Sequence, residues 1–117
     1  MWRRDFDRLD RACQRVLQVL QHEQLQAEEL VERLTGCREL AWRCCVEAVR
    51  RHPGADRDVP TDDTLAAVHH DLSRAATSVA QAAQALVMVE GDLSAADRAV
   101  ATATAQIGAA AAGLGLS

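Results

Sequence analysis

Apolar residues recur along this chain at alternating steps of three and four. In the second half the series runs Leu65, Val68, Leu72, Ala75, Val79, Ala82, Leu86, Val89, Leu93, Ala96, Val100, Ala103, Ile107, Ala110. In the first half it runs Trp2, Phe6, Leu9, Cys13, Val16, Leu20, Glu23, Ala27, Leu30, Leu34, Cys37, Ala41, Cys44, Ala48, with Glu23 the one polar member. Such a sustained heptad phase is the signature of helices that pack along a seam, as in coiled coils and bundles. The fold class is therefore all-α.

Punctuation divides the pattern. The stretch RHPGADRDVPTDDTL at 51–65 holds both prolines and four aspartates, and it reads as a loop over 53–60. Thr61 is placed to cap the next helix, with Asp62 and Asp63 at the positive end of its dipole. Two weaker interruptions follow: polar QHEQLQ at 21–26 and Gly91 within EGD. Gly36 is a further weak point. Two architectures satisfy the pattern, each a single domain over 1–117. One is an antiparallel hairpin of long heptad-patterned helices. The other is a four-helix bundle with helices near 3–22, 26–52, 61–89 and 92–112, completed by dimerisation if one chain does not suffice. Folding the halves back about the 53–60 loop sets residue 91 opposite about residue 22. The same register brings Cys44 and Cys45 near His69. Past Gly108 the chain, IGAAAAGLGLS, reads as a loose small-residue tail over 108–117.

The stretch DLSRAATSVAQAAQALV at 71–87 carries only two charges, Asp71 and Arg74. Ala76, Ala80, Ala83, Ala85, Val87 and Met88 lie off the seam, so this helix is apolar on several sides and demands cover on several sides. The demand is met by a compact bundle, a second copy or a partner. The expected interface on this half is Leu72, Val79, Ala83, Leu86, Leu93 and Val100. On the first half it is Leu9, Val16, Leu20, Leu30 and Leu34.

Composition narrows the function. The formal charge is −4 at pH 7 and all thirteen basic residues are arginine, which reads as codon bias of a GC-rich genome. An acidic chain is a poor nucleic-acid binder. Arg4, Arg8, Arg11 and Arg15 share a face, but Asp5, Asp7 and Asp10 interleave with them as in a salt-bridged solvated face. Aromatics are scarce (Trp2, Phe6, Trp42), which weighs against a ligand pocket or a base-stacking platform. The uncharged segment 99–117 approaches spanning length, but it is built of Ala, Thr, Gln and Gly, which lipid barely favours, so no membrane span is expected. The start, MWRRDFDRLD, lacks the apolar core of a secretory signal, which places the chain in the cytoplasm.

Four cysteines and four histidines raise the question of a metal. The candidate ligands are Cys37, Cys44, Cys45 and His69, but no C-x-x-C or H-x-x-x-H spacing supports them. Cysteine as a small core residue is the ordinary alternative, and no cofactor is expected. The acids at 56, 58, 62 and 63 fail the EF-hand pattern, since Thr61 and Ala67 stand where Gly and Glu are required. No nucleophile–base pattern or phosphate loop is present, so no enzyme is expected.

Two antiparallel helical stretches of small aliphatic residues, in about a hundred residues, resemble the WXG100 (ESX-type) proteins of type VII secretion. Trp42–Arg43–Cys44 stands where the family's W-x-G turn would be sought, and the actual turn is HPGAD at 52–56. There is no tyrosine for a Y-x-x-x-[DE] export signal. The resemblance implies a helical hairpin that dimerises into a four-helix bundle and serves as a secretion partner. Read from the residues, the chain is a non-enzymatic helical adaptor or scaffold that associates with itself, as a homodimer, or with a partner's helix. A metal- or redox-responsive bundle is the remaining alternative.

Overall fold

The computed structural model describes residues 2–52, 63–88 and 93–116. They form four α-helices: α1 (Trp2–His22), α2 (Glu28–Arg51), α3 (Asp63–Met88) and α4 (Leu93–Gly113). The bounds lie within a few residues of those the heptad pattern and its interruptions predict. Thr61, Val89, Gly91 and the 53–60 segment lie outside the described residues. The bundle is elongated, 43 × 25 × 17 Å.

The 21–26 interruption ends α1. Gln24 takes a left-handed φ of 55°. The Leu25 amide donates to Leu20 O at 2.9 Å and the Gln24 amide to Gln21 O at 3.1 Å. This is a Schellman cap, and Leu25 beyond it packs partly buried against the core. α2 then starts at Glu28, with Glu28 and Glu29 at its positive end and Arg50 and Arg51 at its negative end. It runs unbroken through Gly36.

Pairing within each half is antiparallel. Trp2 O receives the Cys45 thiol at 3.2 Å, Phe6 meets Trp42, and Asp10 pairs with Arg38 at 2.6 Å. In the second half Ser78 donates to Gln106 at 2.8 Å, and Gly113 approaches Val68. Between the halves the pairing is parallel. Asp5 lies beside His69 and Arg8 beside Ser73, while Arg33 lies beside Asp97 and Cys37 beside Thr104. Thus α1 packs on α2 and α3, α4 packs on α3 and α2, and the α2–α3 and α1–α4 pairs are diagonal. The fold-back register expected from the sequence made α2 and α3 neighbours; the structure instead lays one hairpin beside the other. Both solutions bury the same seams, so periodicity alone does not separate them.

The seam residues are the core. Leu9, Val16, Leu30, Leu34, Val68, Val79, Leu86, Val100 and Ile107 are all buried, with alanines between them. The most extensive contact is α3 on α4. There Ala75, Ala82, Ala96, Ala103 and Ala110 have no exposed surface, and small residues let axes approach toward the short end of the roughly 8–10 Å range. Ala76 and Ala83 are covered as well. Part of the several-sided apolar character of α3 is thus covered by α1 and α4 of the same chain, whereas Ala80, Val87 and Met88 stay exposed.

Two expectations are corrected. Phe6 is only half-buried, and Asp5 takes the core position in the first turn. The α1 core series Trp2, Asp5, Leu9, Cys13, Val16, Leu20 follows the helical period from Trp2. Nor is the chain loose from Gly108. α4 continues to Gly113 with Ala110, Ala111 and Leu114 buried. Gly115, at φ 71°, closes a second Schellman cap through Leu116 N–Ala111 O and Gly115 N–Ala112 O bonds of 2.9 and 3.0 Å. Arg51 then ties Leu114 O to the end of α2. Among the described residues, no helix is long and apolar enough to cross a membrane.

Candidate functional site

The residues expected at an interface lie inside the single chain. Leu9, Val16, Leu20, Leu30, Leu34, Leu72, Val79, Ala83, Leu86 and Val100 are buried, and Leu93 is partly buried against the same core. In this fold α1 and α4 cover these seam positions of α3, while Val87 and Met88 at its end are 57 and 74% exposed.

The metal candidates separate. Cys37 Sγ lies 3.2 Å from the Thr104 hydroxyl, the Cys45 thiol bonds the Trp2 carbonyl, and Cys44 is enclosed in the core. His69 pairs instead with Asp5. Among the described residues no three Cys, His, Asp or Glu side chains converge as a metal set. Burial pushes the Cys13 thiol up to about 12 and the Cys44 thiol to about 11, so both are protonated, apolar fillers at neutral pH. All four cysteines are buried, and none forms a disulfide among the described residues.

Among the described residues Asp5 is the one charged side chain buried in the core, and His69 is its partner. Nδ1 of His69 lies 2.5 Å from Asp5 Oδ2, and the imidazole edge sits on the Trp2 ring at 6.2 Å between centroids. Burial raises the Asp5 carboxyl above its ordinary value of 3.8, opposed by the His69 hydrogen bond and by the charges of His69 and Arg8. This polar contact ties α1 to α3. The acids of α1 therefore serve neighbouring helices more than the arginines beside them. Asp10 likewise reaches Arg38 on α2.

The side of α2 turned away from the bundle carries the feature that the heptad reading missed. Trp42, Val46 and Val49 follow one another at i, i+4 and i+7 and are 46, 50 and 38% exposed. They form a second apolar stripe, offset by one position from the buried Ala41, Cys45 and Ala48. Val31, 37% exposed, lies on the exposed side of the same helix about three turns before Trp42. The signal was present in the sequence as two interleaved apolar series in α2, of which only one continued the seam.

This stripe borders a hollow of about 310 Å³ lined by Trp2, Arg3, Trp42, Cys45, Val46 and Val49. Phe6 supports Trp42 from α1, edge to face at 5.0 Å. Trp2 closes the inner side and is fully buried, yet its indole N–H has no acceptor among the described residues. The charges beside the stripe are mixed, with exposed Glu39 one turn before Arg43 on the same flank. Residues 42–52 carry Arg43, Arg50 and Arg51 against the single acid Glu47. Glu47 accepts from both Arg50 and Arg51, and these bonds hold its carboxyl down at about 2. A polar groove on the far side, between α3 and α4, is lined by Ser73, Thr77, Gln81, Thr102 and Gln106 and has no comparable apolar content.

No protein-family model, curated protein or solved structure matches this chain.

Proposed function

We propose that the protein is a non-enzymatic helical adaptor, a closed four-helix unit that binds another helix on the outer face of α2. The observation that carries this reading is the exposed Trp42–Val46–Val49 stripe. A helix buried through one seam has no internal use for a second apolar series, and a half-exposed tryptophan at its centre is the kind of residue that anchors helix-in-groove contacts. Burial of the originally expected seam inside the chain supports moving the association surface from the second half to α2. Four buried thiols outside any disulfide support residence in a reducing compartment such as the cytoplasm.

The test is site-specific photocrosslinking in cells that express the protein. A photoreactive residue at Val46 is expected to give a discrete protein adduct that Trp42→Glu abolishes. The same residue at Thr102, on the opposite side, is expected to give none. Absence of an adduct at Val46 and Val49 alike would remove α2 as the working face.

A further inference from the structure

The groove over α3, on the far side from the α2 stripe, has a chemistry of its own. Its volume is about 410 Å³ and its lining is polar throughout. The two ends differ. Toward the start of α3, His70 and Arg74 stand one turn apart, and both are exposed. Arg8 reaches over from α1 and donates to the Ser73 hydroxyl at 3.0 Å. Further along, α3 contributes Thr77 and Gln81 and α4 contributes Thr102 and Gln106, none of them charged.

Hydrogen bonds within the lining decide what each group has left to offer. The Ser73 hydroxyl accepts from Arg8 and keeps its own proton to donate. Buried Ser78 donates to Gln106 Oε1 at 2.8 Å, which leaves the Gln106 amide nitrogen as a donor. The Thr77 hydroxyl donates to the Ser73 carbonyl at 3.3 Å, so its oxygen remains to accept. Among the described residues no acid lines the groove. Of the acids on the three helices around it, Asp5 is held by His69, Asp10 by Arg38 and Asp97 by Arg33. Asp7 shares the α2 side of α1 with Asp10, three positions on. Asp63 lies two turns before His70, and Asp71 adjoins His70, partly buried, without lining the groove.

A groove with no apolar wall holds neither a lipid tail nor an aromatic body. Two permanent guanidinium charges beside a donor hydroxyl match a phosphate dianion. One turn further on, about 5 Å along α3, a neutral acceptor and an amide donor match the hydroxyls of a sugar. We infer that this groove binds a small sugar phosphate, with its phosphate on Arg8, Ser73 and Arg74 and its hydroxyls on Thr77 and Gln106. The site stands apart from the adaptor reading and does not depend on it.

NMR titration of the isotope-labelled full chain tests it with ribose 5-phosphate, inorganic phosphate, ribose and a short DNA duplex as probes. Ribose 5-phosphate is expected to give saturable amide shifts along 70–78 and at Gln106. Inorganic phosphate should shift 70–74 alone and bind roughly tenfold more weakly, and ribose should not saturate. Arg74→Gln should weaken ribose 5-phosphate about tenfold, as the loss of one hydrogen bond to a charged group requires. Thr77→Val should weaken it about threefold and leave inorganic phosphate unchanged, with circular dichroism showing both variants folded. Equal affinity for inorganic phosphate and ribose 5-phosphate overturns the sugar phosphate in favour of a bare anion site. A ribose 5-phosphate titration without saturable shifts in the groove, or one indifferent to Arg74→Gln, overturns the site itself. Tighter binding of the duplex, with shifts spreading to Arg4, Arg11 and Arg15, overturns the small molecule in favour of nucleic acid.

Discussion

Replacing His69 by alanine leaves the Asp5 carboxylate in the core without its hydrogen bond, and the consequence can be sized. The Asp5 side chain is 4% exposed and that of His69 is 38% exposed. A hydrogen bond to a charged group contributes about 1.5–3 kcal/mol, and partial solvent access at His69 reduces the expected loss to about 1–2 kcal/mol. Asp5→Asn behaves differently. It keeps an acceptor for Nδ1–H and removes the buried charge, so it is expected to stay within about 0.5 kcal/mol of wild type near neutral pH. The pH dependence separates the two further. The folded-state pKa of Asp5 is raised, so the native chain holds this proton more tightly than the unfolded one. The group's stabilising contribution is fully present below its ordinary value of 3.8 and is lost as pH rises through the raised value. The wild type should therefore lose stability relative to Asp5→Asn across that window and run parallel to it above. Urea unfolding followed by circular dichroism, from about pH 4 to pH 8, measures both effects. The reasoning is refuted if His69→Ala costs no more than Asp5→Asn, or if the wild type–Asp5→Asn difference is flat in pH.

Three further outcomes follow from the packing. Gln24→Gly relieves a left-handed backbone at the α1 cap and should raise unfolding stability by about 1 kcal/mol in a urea titration. Leu86→Ala, at a fully buried site, should cost about 2–5 kcal/mol, whereas Val87→Ala, at a site 57% exposed, should stay within about 0.5 kcal/mol. Cys13 and Cys44 should resist iodoacetamide at mildly alkaline pH in the native protein and react on unfolding in urea, as read by mass spectrometry; rapid native labelling at either site contradicts their burial.

The core was legible because seam burial and heptad phase are one physical fact seen twice. Val68, Leu72, Val79, Leu86, Val100 and Ile107 fill the core for the reason that they recur at helical spacing. The interruption at 21–26 was legible as a polar run, but its Schellman cap was not, because glutamine rarely takes the left-handed conformation that Gln24 adopts. Helix neighbours were not legible at all. Two hairpins with the same phase stack equally well in several registers, and the choice made here rests on contacts such as Asp5–His69 and Arg8–Ser73 between residues some sixty-five positions apart. The candidate site was half legible. Trp42, Val46 and Val49 stood in the sequence at helical spacing, yet only the folded α2 distinguishes an outward stripe from a second core face.

One chain closes its own core in this fold, and the exposed α2 stripe is the face we propose for association. Light scattering behind size exclusion tests it most directly, on the wild type and Leu86→Asp together. The account predicts a wild-type monomer near 12.7 kDa, and a Leu86→Asp chain that loses its cooperative fold. A stable wild-type dimer that Leu86→Asp splits into helical monomers would contradict it, because Leu86 would then belong to a seam between chains.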